Sequence, residues 1–353
     1  MSHVSFYPGP SRVYSNTTEF IFEAYASGIL SVNHRSEEFM QLFSKLKRTL
    51  KKKLLIPADY EIAFVSSATE CWEIISQSLV SHRFAVAHNG AFGAKWAAYA
   101  QALTEECKEI PFQIEEILPV DRLVQPQADV VGLVHNETSN GTYIADRLLL
   151  ELRSKLPNDT LVAVDATSSM AGVHLPYHTA DVWFASVQKC FGLPSGMAIL
   201  VVSPRAVERA YRLNRNQPYN SLMRIIENTK NHQTHYTPNI LNMYLMYRTQ
   251  SLSKGMEYQH EKTWRRFDNW KLLLEQVAGV NWLIKNEEVK SPTVLALTAR
   301  NIESLKQAAH SKGFILGNGY GDWKDTTFRI ANFPAIKGKE VERLAKFLRR
   351  YQY

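Results

Sequence analysis

Residues 165–189 read DATSSMAGVHLPYHTADVWFASVQK, with an acid, Asp165, at one end and Lys189 at the other. The residues before this stretch, 160–164, are β-branched or apolar, and residues 181–186 form a second such run. Short runs of this kind, bounded by turn-forming residues, predict two buried β-strands. The acid and the lysine would then stand at neighbouring strand ends, on the edge of a sheet where α/β proteins bind ligands.

A carboxylate and an amine at such an edge are the pair that pyridoxal phosphate requires. The lysine binds the aldehyde of the cofactor, and the acid keeps the pyridine nitrogen protonated. A buried ion pair with a purely structural role is the alternative, because both residue types are rarely buried unless they are paired. These two residues alone leave both interpretations open.

Length and composition indicate an ordinary globular protein with more than one domain. The chain has 353 residues, more than one typical hydrophobic core supports, and its hydrophobic content of 45% suits a globular fold. We predict a large domain over residues 1–255, which includes a substrate-loop segment over residues 1–36, and a small domain over residues 256–353. We find no signal segment and no apolar run that approaches the length of a membrane span, so no membrane partner is expected.

Cysteine usage and charge narrow the class of protein further. Cys71, Cys107 and Cys190 are too few and too scattered for a disulfide framework or a zinc site, which predicts a cytoplasmic protein. The net charge is +7, and the densest patch of basic residues lies over residues 45–53, within a segment whose apolar spacing fits an amphipathic helix. No nucleic-acid module or aromatic stacking motif accompanies this basic patch, so no nucleic-acid partner is expected.

Strand-like and helix-like segments alternate from about residue 60 to residue 215. Besides the two strands above, apolar runs predict strands at residues 61–65, 84–87, 109–112, 129–134 and 197–202. Helices are predicted from about Glu70, from about Ala94 and over residues 146–155. This alternation predicts an α/β fold with a mostly parallel, doubly wound sheet.

The turn after the strand at residues 61–65 contains Ser67, Ala68 and Thr69, just before a predicted helix. Small residues there expose backbone N–H groups, and the helix dipole favours an anion at that end. The chain has no GxxxxGK[ST] motif, so a phosphate seat of a different kind is predicted. An ordinary βα turn is the alternative. Phe92, at the start of the next helix, belongs either to the core or against a flat cofactor.

His34 and Arg35 precede the basic helix. Two interpretations of this pair are open. It is either simply exposed to solvent or it binds an anion, because a guanidinium binds carboxylate or phosphate through two parallel hydrogen bonds.

Metal binding and serine hydrolysis have weaker support in the sequence. The histidine pairs at 232/235 and 174/178 lack the acidic or cysteine partners of a metal motif, and a serine hydrolase would need a GxSxG motif that is absent.

Seven short motifs, taken in order, resemble those of the fold-type I, class V pyridoxal-phosphate-dependent aminotransferases, and most closely the branch that acts on phosphoserine. The resemblance runs over nearly the whole chain. The motifs are Gly9-Pro10, His34-Arg35, Asn136-Glu137-Thr138 with Gly141, Asp165 with Ser168-Ser169, Gln188-Lys189 with the segment 192–196, Thr237-Pro238, and Phe328-Arg329-Ile330. This resemblance implies a seven-stranded sheet with helices on both faces, a small α+β domain at the C-terminus, and a homodimer with shared active sites.

The resemblance also implies a role for each matched residue. Lys189 would bind pyridoxal 5'-phosphate covalently and then move a proton as general base, while Asp165 would hold the pyridinium proton. Phe92 would stack on the ring. The remaining implied cofactor-binding residues are Ser67, Ala68, Thr69, Thr138, Ser168, Gln188, and, from the partner subunit, Tyr236 and Thr237.

Gly9, His34, Arg35 and Arg329 are the implied substrate-binding residues. Arg329 would bind the α-carboxylate, and the His34-Arg35 pair would bind a substrate phosphate across the dimer. This reading predicts transamination of phosphoserine with 2-oxoglutarate in serine biosynthesis. Two features favour instead an alanine–glyoxylate or serine–pyruvate type of aminotransferase. Position 70 is a glutamate, which would repel a phosphate, and the sequence around Thr237 is closer to that branch. A non-catalytic protein of the same fold is a third alternative, which the presence of both Asp165 and Lys189 argues against.

Overall fold

The structure is a computed structural model that describes residues 3–124 and 128–351. In these ranges the strands are β1 (Val4–Phe6), β2 (Glu61–Val65), β3 (Arg83–His88), β4 (Glu106–Pro111), β5 (Val130–Val134), β6 (Asn136–Glu137), β7 (Thr142–Tyr143), β8 (Leu161–Asp165), β9 (Val182–Ser186), β10 (Ala198–Val202), β11 (Val280–Trp282), β12 (Val294–Ala299), β13 (Phe314–Asn318) and β14 (Phe328–Ala331).

The α-helices of the described ranges pack on both faces of the larger sheet. They are α1 (Thr17–Ala26), α2 (Glu37–Leu54), α3 (Ala68–Leu79), α4 (Ala91–Leu103), α5 (Val120–Leu123), α6 (Asp146–Lys155), α7 (Pro204–Leu213), α8 (Leu222–Lys230), α9 (Ile240–Leu252), α10 (Met256–Leu274), α11 (Ile302–Ser311) and α12 (Gly338–Arg350). As far as the chain is described, none of these helices is both long and apolar enough to cross a bilayer.

The larger sheet has seven strands in the order β2-β10-β9-β8-β5-β3-β4. Strand β10 runs antiparallel to both of its neighbours, and the other neighbouring pairs are parallel. The predicted mostly parallel, seven-stranded sheet is therefore confirmed. The position of β8 in the middle of this sheet explains why its sequence is a continuous apolar run. Val162 and Val164 pack into the core on one face and Leu161 and Ala163 into the core on the other, because helices cover both faces.

A second sheet of five strands has the order β1-β13-β14-β12-β11. Its edge strand β1 comes from the N-terminus and pairs in parallel with β13, with Val4 opposite Phe314. The N-terminal strand thus joins a sheet built mainly from the C-terminal third. Helix α10 connects the two regions, near the boundary at residue 255, which stays a prediction.

Helix starts differ slightly from the predicted positions, and side-chain caps explain why. Helix α3 begins at Ala68 because the Ser67 side chain accepts a hydrogen bond from the Glu70 N–H at 3.1 Å. Helix α4 begins at Ala91, three residues before the predicted start. Strand β4 begins earlier than predicted, at Glu106, since its whole length pairs with β3.

Candidate active site

Asp165 and Lys189 lie at the same edge of the seven-stranded sheet. Asp165 is the last residue of β8, and Lys189 follows the end of β9 by three residues. The two strands are parallel neighbours, with Ala163 opposite Val182, so their carboxyl ends point the same way. Both side chains are buried, at 4% and 7% exposure.

The Asp165 carboxylate is fixed by two donors. Its Oδ2 accepts a hydrogen bond from the Trp72 indole at 3.1 Å, and its Oδ1 accepts one from the Thr167 N–H at 2.9 Å. Burial raises the pKa of Asp165 above its ordinary value, although the Thr167 hydrogen bonds and the charge of Lys189 act in the opposite direction. The orientation of this carboxylate is therefore set before any ligand binds.

The Lys189 amine is held by two hydroxyl groups. Its Nζ donates to Thr138 Oγ1 at 2.7 Å and to Ser168 Oγ at 3.1 Å. Burial lowers the pKa of Lys189 to about 8, although the charges of Asp165 and Glu137 act to raise it. An amine with this pKa is partly neutral at neutral pH, as a nucleophile or general base must be.

An aromatic pair and a glycine close around this amine. The Nζ of Lys189 lies 5.0 Å from the centre of the Phe92 ring, which stacks on Tyr320 with ring centroids 5.1 Å apart. On the other side, a Cβ on Gly9 would lie 2.9 Å from Cε of Lys189, and the φ of Gly9 is +150°. Only glycine fits there, because a side chain would strike the lysine.

Glu137 is a functional residue of this region that sequence reasoning did not assign. Its buried carboxylate accepts hydrogen bonds from the N–H groups of Phe92 and Gly93, both at 3.2 Å, and from the N–H and hydroxyl of Ser139. It therefore caps helix α4, whose own N-cap residue, Gly90, has no side chain to do so. The sequence showed only that Gly90 has no side chain to cap α4, because the contacts that Glu137 makes span 44 and 45 positions.

The predicted phosphate seat lies at the start of helix α3. The Ala68 N–H donates to Ser186 Oγ at 3.0 Å, which ties the helix to the end of β9. Thr69 is exposed, and Gln188 is half-buried two residues beyond Ser186. Ser67 completes the turn as the N-cap residue. An N-terminal turn with small residues and free side-chain donors fits a phosphate group.

Glu70 lies in the first turn of the same helix. Its Oε2 accepts hydrogen bonds from the Ser66 N–H at 2.7 Å and the Ser66 hydroxyl at 2.6 Å, and its Oε1 lies 3.8 Å from His235 Nε2. Burial acts to raise the pKa of Glu70, but contacts with His235 and Ser66 outweigh it and lower that pKa. The carboxylate is thus turned back onto the preceding loop.

Arg329 lies on β14, in the smaller sheet, and reaches Thr138, the residue whose hydroxyl accepts from the Lys189 amine. Its Nε donates to the Asn318 carbonyl at 2.6 Å and its Nη1 to the Thr138 carbonyl at 2.7 Å. The residue is 3% exposed, and burial lowers the pKa of its guanidinium. Within residues 3–124 and 128–351 no carboxylate lies within 4 Å of it. A buried cation without an acidic partner is a candidate anion-binding group.

The structure does not bring His34 and Arg35 to Lys189 within one chain. Arg35 is exposed, and its Nη1 donates to Gln233 and, at 3.4 Å, to Asn228. Tyr236 and Thr237 lie in the loop after α8, as does Gln233, whereas Asn228 lies within α8. The Tyr236 ring packs on His235, its phenol has no hydrogen-bond partner in the described chain, and Thr237 is exposed.

Comparison with known proteins agrees with this geometry. The sequence model of the aminotransferase class-V family matches residues 8–312. A phosphoserine aminotransferase from Corynebacterium glutamicum is 26% identical over 95% of this chain and 91% of its own length. The crystal structure of a phosphoserine aminotransferase from Cytophaga hutchinsonii has a TM-score of 0.94 and 28% identity over 98% of both chains. An alanine–glyoxylate aminotransferase from Nostoc shares the fold, with a TM-score of 0.81 and 17% identity over 99% of this chain and 95% of that one.

Fold and site together define a pyridoxal-phosphate-dependent aminotransferase. The chain belongs to the aminotransferase class-V family. Its residues fit this cofactor: a buried amine of lowered pKa, an oriented carboxylate at the neighbouring strand end, an aromatic ring beside the amine and a helix N-terminus linked to the same edge. The buried ion pair that the sequence left open is not formed among the described residues, where Lys189 donates to Thr138 and Ser168 and Asp165 accepts from Trp72 and Thr167.

The pKa of Lys189 predicts how cofactor attachment depends on pH. Only the neutral amine attacks an aldehyde, so the attachment rate of pyridoxal phosphate to the apoprotein should rise with pH and level off above about 8. Below that value we expect about a tenfold change per pH unit. Absorbance after rapid mixing measures this rate. A rate that still rises above about pH 10, as for an ordinary lysine, would contradict the assignment.

Proposed function

We propose that this protein transfers the amino group of phosphoserine to 2-oxoglutarate, giving 3-phosphohydroxypyruvate and glutamate in serine biosynthesis. One observation carries the amino-acid part of this proposal. The Lys189 amine donates to the hydroxyl of Thr138, and the Arg329 guanidinium donates to the carbonyl of the same residue. An amine and a carboxylate-binding group that meet at one residue suit a substrate whose amino group and carboxylate share one carbon atom.

Each residue then has a defined task in the reaction. Bound pyridoxal phosphate supplies a ring that withdraws electrons from the α-carbon of the substrate. Lys189 holds the cofactor and takes the α-proton, a role that its lowered pKa permits. Asp165 keeps the ring nitrogen protonated, and the Trp72 hydrogen bond holds that carboxylate in place. Arg329 fixes the α-carboxylate of the substrate.

The other cofactor contacts divide into two sets. Phe92 would stack on the ring, and the hydroxyls of Thr138 and Ser168, which accept hydrogen bonds from Lys189 in this structure, would help to hold the cofactor. The cofactor phosphate is bound by Ser67, Ala68, Thr69 and Gln188, with Tyr236 and Thr237 added by the partner subunit of a homodimer. The exposure of Thr237 in the single chain supports this assembly, since it leaves that side chain available to a partner.

The substrate phosphate is assigned to His34 and Arg35 of the partner subunit, beside Gly9. Three observations support this choice: the exposed guanidinium of Arg35, its hydrogen bond to Gln233, and the phosphoserine aminotransferases among the relatives.

The three cysteines are free, which supports a reducing, cytoplasmic compartment.

A second candidate is transamination of alanine or serine with glyoxylate or pyruvate. The Glu70 carboxylate at the start of α3 favours it, because an acid there disfavours a second phosphate nearby. The shared fold of the Nostoc alanine–glyoxylate aminotransferase makes this candidate reasonable.

A half-reaction distinguishes these two candidates. Phosphoserine, glutamate, alanine and serine are added separately to the purified holoenzyme, and the absorbance of the lysine-bound cofactor is followed. Fast loss with phosphoserine and glutamate is the expected result. Loss with alanine or serine but not with phosphoserine would replace the first proposal by the second.

Arg35→Ala should weaken phosphoserine binding about tenfold or more, because a charge-assisted contact to the phosphate is lost. The apparent dissociation constant from the same half-reaction measures this effect. Arg48→Ala is the matched control, since Arg48 is exposed on α2 and carries the same charge. Equal affinities of the two variants would mean that Arg35 serves another purpose.

A further inference from the structure

A cavity of about 180 Å³ lies where helices α2, α9 and α10 and the N-terminal segment meet, and none of Lys189, Asp165 and Arg329 lines it. Its walls include the end of α2, the end of α9 and the start of α10. The cavity therefore lies at the start of α10, the helix that connects the larger sheet to the smaller one. It is smaller than the roughly 300–1,000 Å³ of pockets for drug-sized ligands. Its volume is therefore suited to a small ion and a few water molecules.

The charge of this cavity is one-sided. Lys53, Lys254 and Lys262 line it, and no aspartate or glutamate does. Within the described chain none of the three lysines lies within 4 Å of a carboxylate. Lys53 donates to the Ser253 carbonyl, and Lys254 lies 4.5 Å from the centre of the Tyr258 ring, so neither charge is neutralised. Three unpaired cations around one small space favour an anion.

Two hydroxyl groups and a helix end point to the same ligand. Thr249 and Ser253 line the cavity, and neither hydroxyl has a hydrogen-bond partner in the described chain, although Thr249 is only 7% exposed. Buried hydroxyls are normally satisfied. Helix α10 starts in the wall with Gly255 as its N-cap residue, which supplies no side-chain cap, and its dipole adds positive potential. Glu257, the acid of its first turn, is exposed and does not line the cavity.

We propose that this cavity is a binding site for a small tetrahedral oxyanion of the phosphate type, separate from the active site. The lysines supply the charge, the two hydroxyls donate hydrogen bonds, and the N-terminus of α10 supplies free N–H groups. Because its walls come from elements on both sides of the start of α10, a bound anion stabilises their junction. This inference does not depend on which amino acid the enzyme uses.

The test is calorimetric titration of the holoenzyme with inorganic phosphate. Lys262→Gln should weaken phosphate binding about tenfold, because one charge-assisted hydrogen bond is lost. Lys52→Gln is the matched control, since it removes the same charge from an exposed position on α2 next to Lys53. It should bind phosphate like the wild type. Cofactor absorbance and the KM for the amino donor should be unchanged in both variants.

Thr249→Val is a second variant that keeps every charge and removes one hydroxyl. It should weaken phosphate binding several-fold, and it keeps the proposal testable if Lys262→Gln does not fold. Wild-type affinity in both Lys262→Gln and Thr249→Val would overturn the proposal. So would an equal response to chloride at the same ionic strength, because general screening of charge would then explain the effect.

Discussion

Replacing Lys189 with alanine is expected to reduce transamination by about 10⁴-fold or more, because one amine both attaches the cofactor and moves the substrate proton. No other described amine donates to Thr138 and Ser168, so none stands ready to take over. Borohydride should also fail to fix the cofactor to the variant, whereas it fixes it to the wild-type chain.

Lys95→Ala is the matched control for this variant. The Nζ of Lys95 lies 5.8 Å from the centre of the same Phe92 ring and donates to the Tyr320 phenol at 2.6 Å. Its loss removes a nearby positive charge but leaves the attachment point intact. Mass spectrometry of reduced peptides should find the cofactor in this control and not in Lys189→Ala. Substantial turnover by Lys189→Ala would refute the assignment of the base.

The strand ends of the site could be predicted from sequence because they depend on local pattern. Residues 160–164 and 181–186 form the two runs, and parallel strands place their carboxyl ends together. The acid follows the first run directly, and the lysine follows the second by three residues. The number of strands, seven, came from the resemblance, and their order was not predicted, since strand pairing is not a local property. Strand β1 and its parallel pairing with β13 were not predicted either, because that pairing joins residues more than 300 positions apart.

Long-range side-chain contacts account for most of what the sequence did not predict. The contact between the Ala68 N–H and Ser186 spans 118 positions, and the bond from Trp72 to Asp165 spans 93. Neither of these two hydrogen bonds produces a periodic pattern in the sequence. The cap that Glu137 provides to α4 has the same origin, and this is why the predicted start of that helix was three residues late.

Arg329 is the second residue whose replacement should have a large effect. Arg329→Ala is expected to weaken binding of the amino donor about 10²–10³-fold while the cofactor stays attached. Its Nε and one hydrogen of Nη1 are used by the carbonyls of Asn318 and Thr138, which leaves Nη2 and the second Nη1 hydrogen for a carboxylate. The half-reaction titration gives the donor affinity directly.

Alanine at position 329 also leaves two carbonyl groups without their donor, so stability must be measured separately. Arg266→Lys controls for this effect. Arg266 is likewise buried and donates to the carbonyls of Ile336, Asn332 and Phe333, so its replacement should lower thermal stability without changing donor affinity. A fall in affinity confined to Arg329→Ala would assign the carboxylate to Arg329. Unchanged affinity there, with a lowered melting temperature in both variants, would mean that Arg329 only joins the smaller sheet to the loop after β6 and that another group holds the carboxylate.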